Sequence, residues 1–134
     1  MGSRFGKSFA STVASAGLLC CTAAAHADNV DGCRFESAAQ EITQLFWLAE
    51  TADACGWTSH EDAMRFKHFA VRFLAAHLSD LHKMALVSLV TEDGYEDRVR
   101  RAALEGAQHN CDSSRWHTGW TAYKAAADQR DRDF

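Results

Sequence analysis

The 134-residue sequence contains no proline, so nothing in it imposes the fixed backbone angle and missing amide that break helices. Isoleucine is reduced to a single residue, Ile42, while alanine is abundant. Alanine favours helix and β-branched residues favour strands, so this balance predicts an all-α chain. A basic excess is missing too: the net charge is −4, and Arg98, Arg100 and Arg101 sit among Glu92, Asp93, Glu96, Asp97 and Glu105. That excludes nucleic acid as a partner and argues against anionic membrane surfaces. Long apolar runs are also absent. The most apolar stretch, 13–25, holds serine, glycine and threonine and is shorter than the roughly 20 residues a membrane span needs. No stable membrane insertion of the working chain is expected.

The motifs of known chemistry are missing as well. There is no glycine-rich phosphate loop, nucleophile elbow, HExxH pair, haem-attachment motif or phospholipase histidine–aspartate dipeptide. No catalytic residue and no cofactor is therefore expected, and the chain reads as a non-enzyme.

What is present begins with a leader. Arg4 and Lys7 form a basic start, 9–25 is apolar and rich in small residues, and Ala25-His26-Ala27 supplies a small–x–small cleavage pattern. Neither Cys20 nor Cys21 follows a small residue, which favours plain cleavage over lipidation. The expected organisation is a signal peptide over 1–27 and one domain over 28–134, exported to the periplasm or secreted by a bacterium. Cleavage removes two basic and no acidic residues, which takes the net charge from −4 to −6. The remainder suits one domain with a modest core.

Periodicity predicts four helices. Phe35, Ala38, Ile42, Leu45, Ala49 and Ala52 share a face of a helix over 34–54, with Gly56 placed to cap it. Ser59 caps a second helix, with Glu61 and Asp62 in its first turn. Its stripe runs from Phe66 through Phe69, Phe73, His77 and Leu81 to Met84, and the helix is read as reaching Val90. Asp93 and Glu96 resemble a capping pair for a third helix over 95–110, where Gly106 is expected at a close helix contact. The fourth starts after Ser113 or Ser114, with Trp116, Trp120, Tyr123 and Ala127 facing inward. The charged tail 128–133 is expected to fray. Short connections give an up-down-up-down four-helix bundle.

Three cysteines remain after cleavage. Cys33 and Cys55 lie at opposite ends of the first helix, about 33 Å apart at 1.5 Å per residue, too far for a disulfide. In the bundle, the first and third helices end at one pole, so Cys55 pairs with Cys111 and Cys33 is the odd thiol, free or intermolecular.

Other candidate sites are few. His109, Asp112 and His117 gather near the start of the fourth helix and are candidate metal ligands, although their spacing fits no established zinc pattern. His77, on an apolar stripe, is the candidate buried functional histidine. Trp47 points away from the first helix's stripe and is the candidate contact for a partner.

The residues Ala54-Cys55-Gly56-Trp57, the segment 98–107 leading to Asn110-Cys111, and Arg115-Trp116…Gly119-Trp120 resemble small exported all-helical proteobacterial proteins of uncharacterised function. The likeness covers 45–124. It implies a periplasmic or secreted helical domain with a cysteine staple, and no activity to transfer. The expected role is non-catalytic: binding an envelope protein or a small apolar ligand, or forming a homodimer. The alternatives are a metal-binding protein using the His109/His117 pole and a small exported enzyme without a recognisable motif.

Overall fold

The structure is a computed structural model that describes the backbone of residues 27–132 and the side chains of residues 31–132. The leader through His26, with Cys20 and Cys21, lies outside the described residues. The described chain is all-helical, with no strand: α1 (Ala27–Ala54), α2 (His60–Ala75), α3 (Asp80–Thr91), α4 (Tyr95–Asn110) and α5 (Ser114–Arg132).

α1 is the organising element. Its 28 residues span about 42 Å, and it touches each of the other four helices, α4 and α2 most extensively. The expected stripe is inside: Ala38, Ile42, Leu45, Ala49 and Ala52 are buried, and Phe35 packs on the core's edge. Phe46, Leu48, Glu50 and Thr51 are buried as well, so the second half of α1 is enclosed nearly all round. The helix ends as the sequence suggests. Gly56 adopts φ 73°, its amide donates to Asp53 O, and the Trp57 amide donates to Ala52 O, the paired bonds of a Schellman cap.

Contacts along α1 give the directions of its neighbours. Asp31 and Phe35 meet His82, Thr43 and Phe46 meet Tyr95, Glu50 meets Arg100, and Cys55 meets Cys111. α3 and α4 therefore run along α1 in succession and in its own direction. α2 runs back against α1, with α5 alongside α2 through Phe66–Trp120 and Arg72–Asp131.

Several sequence expectations need correcting. There are five described helices rather than four, because the second expected helix breaks between Ala75 and Asp80. Ser79 is extended (ψ 161°) and its Oγ accepts the His82 amide, so it starts a new helix. The break rotates the apolar pattern: Leu78, Leu86 and Val90 are buried, whereas Leu81 and Met84 are 74% and 71% exposed. At the start of α4 the cap is Gly94 at φ 84°, with no side-chain bond from Asp93. An added Cβ at Gly106 meets only Asn110 of its own helix, so no neighbour requires a glycine there. Trp120 and Ala127 face the core, but Trp116 and Tyr123 are exposed, since α5 packs through a narrower stripe. The charged tail is helical to Arg132, held by the Arg72–Asp131 pair and by Arg130 over the Phe73 ring.

Among the described residues, no helix is long and apolar enough to cross a membrane.

Candidate functional site

The first turns of α1 meet the α2–α3 junction at one end of the molecule, around an open depression of about 540 Å³. Ser79 lines it at the point where the α2 direction ends and α3 begins. Its amide donates to Asp31 Oδ1 at 3.1 Å, and its hydroxyl donates to Asp31 Oδ2 at 2.6 Å. His82 Nδ1 contacts the same Oδ2, and the imidazole stacks on Phe35 with centroids 5.1 Å apart. The Ser79 hydroxyl holds the Asp31 carboxyl below its ordinary value of 3.8, with the Ser79 amide and His82 adding to the effect against partial burial.

These three residue types invite comparison with a nucleophilic triad, and the geometry differs from one. A triad serine gives its proton to the imidazole, whose other nitrogen is oriented by the carboxylate. Here the serine proton goes to the carboxylate, and the hydroxyl and carboxylate both face Nδ1 of His82. The arrangement is a clasp: Asp31 in α1 holds the capping residue of α3. Around it, Arg34, His77, Leu78 and Leu81 complete the wall of the depression. Leu81 also opens the exposed row that continues through Met84 and Val87 on the outer side of α3.

A second polar cluster lies in the core. Lys67 is 2% and Glu50 5% exposed, and they form an ion pair. Arg100 Nε donates to Glu50 Oε2 at 3.3 Å, Glu96 lies 3.7 Å from the Lys67 ammonium, and that ammonium stands 5.4 Å over the Phe46 ring. The four charges alternate in sign. The sequence reading missed this cluster, although Lys67 falls on the stripe Ala63–Lys67–Ala70–Leu74.

The anticipated site residues fare unevenly. Cys55 and Cys111 form a disulfide, with Cα atoms 5.2 Å apart. Cys33, expected to be the odd thiol once the leader is removed, is buried and disulfide-bonded in the full-length chain. His77 is exposed rather than buried: α2 ends just before it, leaving its ring edge-on to Phe73 at 6.2 Å. It lines the depression nonetheless. His109, Asp112 and His117 are all exposed, and His117 stacks on Trp57 at 4.6 Å. Among the described residues no group of three or more histidine, cysteine, aspartate or glutamate side chains is placed to hold a metal ion. Trp47 is half-buried against Trp116, with centroids 5.0 Å apart, so α5 covers the face that the sequence reading left open.

No protein-family model, curated protein or solved structure matches the chain.

Proposed function

We propose that the chain is an exported, non-catalytic binding protein that takes a small apolar ligand across the outer face of α3. Its working form is the domain 28–134, released to the periplasm or the exterior by cleavage after Ala27. The Cys55–Cys111 bond suits an oxidising compartment. The observation that carries the binding reading is Leu81. It is 74% exposed, it belongs to the apolar row with Met84 and Val87, and it lines the depression beside the Asp31 clasp. An exposed apolar row marks a contact surface, and a depression of a few hundred cubic ångströms is of small-molecule size.

The neutral fluorophore N-phenyl-1-naphthylamine tests this reading. Titrated with the purified full-length chain, it is expected to bind saturably with a blue-shifted emission. Leu81→Asp is expected to weaken that binding at least tenfold. Leu104→Asp, at an exposed leucine toward the other end of α1, is expected to leave it unchanged. Equal binding by the wild type and Leu81→Asp refutes the assignment.

A further inference from the structure

Charge at the depression identifies the class of ligand. The acid in its wall, Asp31, is satisfied on both oxygens by Ser79 and His82. The permanent cation in its wall, Arg34, is exposed and has no ion-pair partner among the described residues. His77 adds an imidazole whose described contact is the edge of Phe73, with no polar partner. The one carboxylate in the wall of the depression is therefore matched, while a planar guanidinium suited to carboxylate stands in the same wall without an ion pair.

The apolar row begins at the same place. Leu81 lines the depression, Met84 follows one turn along α3, and Val87 flanks them at 46% exposure. Six residues of helix carry this surface about 9 Å from the depression. A ligand that satisfies both parts has an anionic head and a single alkyl tail of medium length.

We propose that the depression receives the carboxylate of a free fatty acid on Arg34, with the alkyl tail laid along Leu81, Met84 and Val87. The proposal rests on the binding reading above and narrows it to anionic single-chain amphiphiles. Tail burial supplies non-directional affinity, whereas Arg34 supplies the selection for an anionic head.

The test is displacement of N-phenyl-1-naphthylamine from the full-length chain by dodecanoate, dodecanol and dodecyltrimethylammonium, each below its aggregation concentration. Dodecanoate is expected to displace the probe at concentrations at least tenfold lower than the other two. Arg34→Gln, an exposed substitution, is expected to abolish that preference, so that dodecanoate and dodecanol displace the probe at equal concentrations, whereas a preference that survives Arg34→Gln overturns the assignment of the head group to Arg34. Equal displacement by dodecanoate and dodecanol from the wild type overturns the head-group assignment and leaves the apolar-ligand reading standing. Failure of the probe itself to bind overturns both. Sedimentation with phosphatidylglycerol vesicles without displacement by dodecanoate overturns the proposal in favour of a membrane surface. A wild-type dimer that Leu81→Asp converts to a monomer overturns it in favour of a second copy of the chain.

Discussion

Thr51 and Lys67 show how differently the core treats two polar side chains. Lys67 is fully buried, yet its ammonium is met by Glu50, Glu96 and the Phe46 ring. Such a cluster offsets its desolvation only because each charge finds a partner, so its net contribution is small and its disruption is costly. Thr51 is equally buried, one residue from Glu50, and its hydroxyl has no hydrogen-bond partner. An unsatisfied buried hydroxyl carries a desolvation cost of about 1–3 kcal/mol. Thr51→Val keeps the branched shape and removes that group, so it is expected to raise the free energy of unfolding by about 1 kcal/mol. Urea denaturation measures the change, and a loss of stability contradicts the account. Lys67 was legible in the sequence, because a charge at Ala63 plus four and Leu74 minus seven falls on a helix's buried stripe. Its partners were not: Glu50 and Arg100 meet it only once α1, α2 and α4 are packed.

At the scale of the element, the clasp between α1 and α3 depends on an ionised Asp31. The Ser79 hydroxyl, and after it the Ser79 amide and His82, depress the native carboxyl value relative to the unfolded chain. The ionised form therefore stabilises the fold. That contribution is complete above about pH 4 and is lost as pH falls through the lowered native value. Asp31→Asn is expected to be less stable than the wild type at neutral pH, and the gap is expected to close as pH falls from about 5 to about 2. Thermal unfolding of both proteins across that range measures it, and a constant gap rules out the ionised clasp. The helix boundaries explain why this site was hard to read. Ser59, Gly56 and Gly94 punctuate the chain visibly, by a capping hydroxyl or the freedom to take positive φ. Ser79-Asp80 carries the same start signal, but Leu81 and Met84 continue the apolar spacing of Phe73 and His77 and conceal the break. The side chains that looked most like core thus became the exposed row, and the clasp that turns them outward joins residues far apart in sequence.

At the scale of the whole molecule, α1 is secured at both ends by different means. The Asp31 clasp fixes its start to α3, and the Cys55–Cys111 disulfide fixes its end to the end of α4. That pairing was legible because helix length forbids Cys33–Cys55 and because two helices running in one direction finish at one pole. The bridge spans a sequence separation of 56, and closing a loop of that size stabilises by about 4 kcal/mol on chain-entropy reasoning. Removing it with Cys55→Ser and Cys111→Ser together is expected to cost about 2–4 kcal/mol in urea unfolding. The cost is also expected to be uneven. The bond's neighbours are the Schellman turn at Gly56 and the stack of Trp57 on His117, whereas Ser79 and the start of α3 lie about 36 Å away along α1. Amide hydrogen exchange in the double variant should therefore accelerate across residues 105–117 by far more than across 80–90. Equal acceleration in both segments would mean that the two ends of α1 open together, and that the disulfide secures the entire helix rather than its end.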